Sequence, residues 1–253
     1  MRIFEIIFSP TGGTQKCADI FAAAFGKEVE LIDLADFSYD FTATDITSED
    51  ICIIAAPAFG GRIPEVAATR LKSIKGNGAK TILIAVYGNR EFDDCLVELQ
   101  DIAAENGFVP VAGVGAIAEH SLIRKFGAGR PDTSDVEELN SFASRIIEIL
   151  NNDQTSSLAL PGNRPYKVFS GSSVRPLTND SCVKCKLCAW NCPVEAISED
   201  KPNLTDNDKC ISCMRCISIC PNQARYLAPE LIEMFTEKLS AVATERKSNS
   251  LYI

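Results

Sequence analysis

The chain has 253 residues, is 46% hydrophobic and carries eleven cysteines, one histidine and a formal charge of -9. That length suits one ordinary α/β domain plus a small appendage. The charge argues against a nucleic-acid surface, a single histidine rules out His-rich metal sites and leaves little room for Ser-His-Asp chemistry, and no apolar run approaches the roughly 20 residues needed to span a bilayer.

An apolar, β-rich run at 2–8 leads into SPTGGT at 9–14, then into an amphipathic segment with Cys17, Ile20, Phe21 and Ala24 on one face. This is strand, loop and helix, with Gly26 as the residue that closes the helix. EVELID at 28–33 alternates like a strand, ICIIAAP at 51–57 is a continuous buried run, and Pro64 suits the first turn of a helix over 64–74. KTILIAV at 80–86 is a fourth strand, 93–106 a helix ended by Gly107, and VPVAGVGAI at 109–117 a fifth strand. The least regular stretch, 118–133, holds His120, which is expected to make a structural hydrogen bond rather than to catalyse. A last helix opens with a capping box formed by Ser134 and Glu137 and carries Leu139, Ala143, Ile146 and Leu150 on one stripe. Cys17, Cys52 and Cys95 sit at apolar positions and read as core; Cys17 is near a helix N-terminus, where a thiolate can be stabilised, but its stripe favours burial.

Residues 151–179 shift to Asn, Ser, Pro and Gly and read as a linker between a first domain over 1–150 and a second over 180–227. As a flexible coil it would span roughly 30 Å, but Leu158, Leu160, Val168 and Phe169 suggest that it lies along a surface. The second domain contains CVKCKLCAWNCP at 182–193 and CISCMRCISICP at 210–221, two copies of CxxCxxCxxxCP. Four thiolates must converge on a 4Fe-4S cubane, and in runs of this form the fourth cysteine serves the other cluster. Cluster one is therefore expected on Cys182, Cys185, Cys188 and Cys220, and cluster two on Cys210, Cys213, Cys216 and Cys192. Structural zinc is the competing reading, but four ligands per zinc leave the third cysteine of each triplet and the CP ending unexplained. About fifty residues make a marginal apolar core, so clusters would supply much of the folding free energy. Residues 181–227 carry six Lys/Arg and five Asp/Glu, a balance of +1 that leaves -10 for the rest. Two oxidised cubanes with their thiolates add about -4, making this end acidic too. The remaining 228–253 is a terminal helix, 229–246, and tail, free to dock on either domain or on a partner.

Five strands alternating with helices imply a doubly wound, five-stranded parallel sheet covered on both faces. In the order 2-1-3-4-5, the loops leaving strands one, three and four surround one crevice, the usual ligand position of such sheets. Those loops are 9–14, 57–62 and 87–92. In the first, Ser9, Thr11 and Thr14 offer hydroxyls, and Gly12 and Gly13 let backbone N–H groups close on an anion at the helix N-terminus. It lacks the Lys of a Walker loop and the GxGxxG of a dinucleotide fold, so a terminal monophosphate suits it; a tight glycine turn without a ligand is the plain alternative.

SPTGGT, PAFGGRIP at 57–64, YGNREFDD at 87–94, GRPD at 129–132 and the paired cysteine runs together resemble the flavodoxin–ferredoxin fusion family, whose second part is similar to the bacterial two-cluster ferredoxins. The resemblance implies a flavodoxin-like domain binding FMN, followed by a small α+β ferredoxin domain with two 4Fe-4S clusters. It places the isoalloxazine between the second loop (Pro57, Ala58, Phe59, Gly60, Gly61) and the third (Tyr87, Gly88, Asn89). Phe59 and Tyr87 are then the aromatic candidates, Gly60 and Gly61 the backbone near N5, Gly88 and Asn89 the backbone near the pyrimidine edge, and Arg62, Arg90, Phe92 and Asp93 further contacts. Phe59 or Tyr87 could instead cap the sheet core, and Arg90 could be a surface charge.

One chain with a flavin and two cubanes is expected to relay electrons between redox partner proteins of ferredoxin type. The alternative is a flavin-dependent reductase of a small quinone-like acceptor fed by its own clusters, ranked lower for want of an acid–base pair. Neither a nucleic acid nor a membrane is expected as partner. The opening MRIFEIIFSPTGG lacks a signal peptide's features, and eight cysteines are committed as ligands, so a reducing cytoplasm is the expected location.

Overall fold

The apolar runs of the first half become the strands of one sheet in the computed structural model, which describes residues 1–152, 158–169 and 171–253. These are β1 (Ile3–Ile7), β2 (Val29–Asp33), β3 (Ile51–Pro57), β4 (Lys80–Tyr87) and β5 (Val109–Ile117), alternating with α1 (Gly13–Ala24), α2 (Glu65–Leu71), α3 (Cys95–Glu105) and α4 (Thr133–Asn151). They pair in parallel in the order 2-1-3-4-5, with Ile3 beside Val29 and Ile51, and Ile54 beside Leu83. Because successive side chains of a strand point to opposite faces, each strand feeds two cores. Phe4, Ile6, Cys52 and Ile54 pack with Leu71 of α2 and Leu99 of α3, while Ile3, Ile7 and Ile53 pack with Cys17 and Phe21 of α1 and Leu139 and Ile146 of α4. Cys17, Cys52 and Cys95 are all buried, and burial pushes the first two thiols up to about 12 and the third well above the usual value.

The start of α4 differs from expectation. Asp132, not Ser134, is its N-cap, accepting from the Asp135 N–H at 3.2 Å while Asp135 accepts from the Asp132 N–H at 3.0 Å. Asp135 wins the position because it also pairs with Arg130; both side chains are buried, with Nε 2.8 Å from Oδ2. Arg246 adds a second cation to the same carboxylate at 3.3 Å, so the buried charge of Asp135 is met from two sides.

The cysteine-rich region forms a two-stranded antiparallel ribbon of β6 (Leu177–Thr178) and β7 (Arg225–Tyr226), with short helices α5 (Leu187–Trp190) and α6 (Arg215–Ser218). Arg70 of α2 clamps it to the sheet: one guanidinium nitrogen donates to the Leu34 carbonyl and another to the Pro193 carbonyl, both at 2.7 Å. Arg215 stands 3.7 Å from Asp33 at the end of β2.

The linker expected over 151–179 is pinned where it is described; 153–157 and 170 lie outside the described residues. Asp94 accepts from the backbone of Asn163 and Lys167, Asp101 pairs with Arg164, and the Arg62 guanidinium lies 4.7 Å over the Tyr166 ring. These polar anchors were not apparent from its apolar residues.

Helix α7 (Pro229–Ala243) docks through Phe235 against two apolar groups at once: Ile123 and Phe126 of the 118–133 segment, and Val174, Met214 and Leu227 beside the cysteine repeats. The chain then returns to the sheet. Strand β8 (Ser250–Tyr252) adds antiparallel to β5, Val114 opposite Leu251, so the sheet has a sixth strand beyond the five expected and the end of 228–253 is part of the first domain's sheet. It covers the open edge of β5, which would otherwise present unpaired backbone groups. Asn249 fastens the return, accepting from Ile117 N–H and donating to Asp135 and Glu138. Among the described residues no helix is long and apolar enough to cross a membrane.

Candidate cofactor sites

The carboxyl ends of β1, β3 and β4 open into one cleft, lined by Pro10, Thr11, Gly13 and Thr14 from the first loop, Pro57 to Gly60 from the second, and Tyr87 and Gly88 from the third. Gly12 opens α1 with φ of 86°, a conformation that glycine adopts without strain, and open space lies over it where a Cβ would stand. The helix thus offers free backbone N–H groups at its positive end. Ser9 accepts from the Gln15 N–H at 2.9 Å, so its hydroxyl acts as a local helix brace. A Cβ on Gly88 would come within 2.5 Å of His120, and one on Gly60, at φ of 61°, within 2.3 Å of Phe169, so both backbones must stay bare where they meet the cleft.

Several other residues expected near the cofactor use their side chains in contacts away from the cleft lining. The Asn89 side chain is buried, donating to the carbonyls of Ala243 and Glu245 and accepting from Arg130 and the Lys247 N–H. Arg90 pairs with Asp93, which also takes Lys167 at 3.0 Å. Phe92 is buried edge-on to Tyr87, ring centroids 5.4 Å apart. Gly61 accepts from the Asp94 N–H, and its Cα faces Asp93; Arg62 pairs with Glu98. The loop after β4 therefore divides: Tyr87 and Gly88 face the cleft, whereas 89–93 hold the C-terminal segment and the linker.

The cysteines gather in two groups. Cys182, Cys185 and Cys188 line one cavity with the remote Cys220. The other four, Cys192, Cys210, Cys213 and Cys216, are buried or half-buried. The two repeats are conformational copies, offset by 28 positions. Left-handed backbone recurs at Lys184 and Ser212, Lys186 and Met214, and Glu195 and Gln223. Such residues turn successive N–H groups to one side, the arrangement that cradles anions. Two of these amides are seen on sulfur, Ala196 N–H to Cys192 Sγ at 3.2 Å and Ala224 N–H to Cys220 Sγ at 3.3 Å. Among the described residues no three histidine, cysteine or acidic side chains converge tightly enough for a single ion. A cubane spreads its thiolates over four irons and requires no such convergence.

Residues 177–221 match the family model of the 4Fe-4S dicluster domain. This segment is a 4Fe-4S dicluster domain. No curated protein matches the chain. Among solved structures, a Streptococcus pneumoniae flavodoxin is 19% identical with a TM-score of 0.40, over 58% of this chain and 95% of its own. Oxidised flavodoxin 1 from Bacillus cereus is 19% identical at 0.41, over 58% and 98%, and rubredoxin oxygen:oxidoreductase from Desulfovibrio gigas 19% at 0.42, over 61% and 36%. At these scores the likeness adds nothing to what the strand order already establishes.

The dicluster domain itself completes the cleft: Ile211, Ser212 and Cys213 line it opposite the three loops, together with Phe169 and Ser172. The sequence gives no signal for this meeting, since it depends on how two domains dock. The 118–122 stretch also lines it. His120 Nδ1 accepts from the N–H groups of Leu122 and Ile123, and burial, then the Arg90 charge, lowers its pKa to about 4. It is a neutral, structurally held imidazole, as its isolation in the sequence suggests. In the dicluster domain burial pushes Cys213 and Cys216 up to about 12. Cys220 is different: burial raises it, but N–H groups of Arg225, Ala224 and Asn222 more than offset that and lower the thiol.

Proposed function

We propose that this electron-transfer chain holds FMN in the cleft at the carboxyl ends of β1, β3 and β4, and 4Fe-4S clusters on Cys182, Cys185, Cys188 and Cys220 and on Cys210, Cys213, Cys216 and Cys192, and that it relays electrons between redox partner proteins. The observation that carries this is a shared wall: Cys213 lines the same cleft as Thr14, Phe59 and Tyr87. When bound, a flavin exchanges one or two electrons and each cubane one, so the assembly converts between pair and single-electron chemistry. The chain's own residues supply the seat. Gly12, Gly13 and Thr14 present the α1 N-terminus to a phosphate, Tyr87 and Phe59 bring aromatic surface, and the bare backbones of Gly60 and Gly88 allow close approach. The left-handed residues around each cysteine run aim amides at sulfur, which stabilises added negative charge. The first domain runs from 1 to about 150 and is completed by β8, and the second runs from about 180 to 227, with the linker laid across α3.

Protein purified without oxygen should yield one FMN and about eight irons per chain, and dithionite titration should consume about four electron equivalents. Consumption stopping at two, with no paramagnetic signal from reduced clusters, would overturn the proposal. Turnover of a small quinone at a rate independent of any carrier protein would point to a reductase instead.

A further inference from the structure

We infer that the two clusters are unequal in potential, with cluster one the more positive, and that Arg225 is the residue that makes them so. The inference rests on the cluster assignment just proposed. In the 28-residue repeat, CPVEAI at 192–197 corresponds to CPNQAR at 220–225, so Ile197 and Arg225 hold equivalent places. One is apolar and buried; the other is a cation at 3% exposure. Arg225 borders the cavity of Cys182, Cys185, Cys188 and Cys220, with a guanidinium nitrogen 3.7 Å from Cys188 Sγ. Its remaining acceptors are neutral: Thr205 Oγ1 at 2.6 Å and the carbonyls of Pro202 and Leu204. None is a carboxylate, and among the described residues its buried Nε has no partner.

A buried guanidinium without a counter-ion is unfavourable unless an anion sits beside it. A cubane with four thiolates is such an anion, and gains one more negative charge on reduction. A cation fixed next to it therefore favours the reduced form and raises its potential. Solvent exposure acts in the same direction. Cys185 is exposed and Cys182, Cys188 and Cys220 half-buried, whereas Cys192 and Cys213 of the second group are buried. Arg175 and Arg215 stand near the second group, and the charge of Arg225 reaches Cys216 as well, but Arg175 donates to the carbonyls of Ser172, Val174 and Asn207 and to Ser212 Oγ, and Arg215, whose buried Nε also has no partner among the described residues, faces the Asp33 carboxylate at 3.7 Å. Neither donates to a cysteine sulfur. Electrons thus rest on the outer cluster one and pass over the more negative cluster two, the one whose Cys213 touches the cleft, on the way to or from the flavin.

The test is a potentiometric titration of the full, cluster-loaded chain followed by EPR. Arg225→Met should move one cluster midpoint to more negative values and the other by clearly less, narrowing the gap between them, while Arg225→Lys should keep most of the gap. Cys185→Ser, altering a ligand of cluster one, marks which signal belongs to it; that signal should be the higher-potential one in the unaltered protein, a check that holds even if Arg225→Met fails to assemble. Equal or absent shifts in Arg225→Met, or Cys185→Ser marking the lower-potential signal, would overturn the inference. Wild-type iron far below about eight per chain would instead defeat the cluster assignment beneath it.

Discussion

The sheet and the dicluster domain solve the problem of folding in opposite ways. The sheet fills two layers with Ile, Leu, Phe and Ala. The dicluster domain leaves Val183, Trp190 and Leu204 more than half exposed, and its own apolar nucleus is little more than Val174, Met214 and Leu227, shared with Phe235 of α7. Its interior is lined instead by cysteines, inward amides and the buried Arg225 guanidinium. One half is stable because apolar area leaves water; the other needs a bound anion to justify its polar interior.

The largest expected effect breaks the two apart. Chelating the iron should abolish amide protection in the dicluster domain while β1, β3 and β4 stay protected in hydrogen exchange; protection surviving across 182–226 would contradict the contrast. In the other direction, Arg130→Met removes the buried partner of Asp135 and leaves it the more exposed Arg246 at 3.3 Å, and should cost the sheet about 3 kcal/mol in denaturant titration. Iron content of the folded fraction should not change. At the seam between the halves, Gly88→Ala forces a Cβ against His120, an overpacking cost of about 1–3 kcal/mol that should weaken FMN binding roughly ten- to a hundredfold. Flavin fluorescence on titration reads this directly.

The smallest effect concerns pH. Glu5 is buried in β1 with one carboxylate oxygen unpartnered among the described residues, and burial, then the charge of Asp19, pushes its carboxyl up to about 7. An acid raised in the folded state favours folding when protonated. The sheet should therefore lose stability as pH climbs from the ordinary value of 4.5 to about 7. Glu5→Gln should recover about 1–2 kcal/mol at pH 8 and little at pH 4, read from the denaturation midpoint at each pH.

Much of this was legible in the sequence because long periodic runs and fixed cysteine spacing are local signals. The five parallel strands lie within a residue or so of their expected bounds, and the two cysteine runs fold as copies of each other. What the sequence hid is non-local. Strand β8 is three residues long, too short for a pattern, and exists because β5 has an open edge. The cap at Asp132 depends on Arg130 folding back, and Asn89 turns from the cleft because Arg130 and the C-terminal segment claim it. Ile211 to Cys213 reach the cleft only through the docking that Arg70 holds. Arg225 carries no sequence signal of its role, because that role comes from the burial around it.

The central claim is that flavin and cluster share one wall. Partial reduction of the loaded chain by a fast photochemical pulse, with flavin and cluster absorbance followed separately, tests it most directly. Redistribution between the two should keep one rate constant when the protein is diluted a hundredfold, because the encounter is intramolecular. A rate that falls in proportion to concentration would place the two cofactors out of each other's reach and contradict the account.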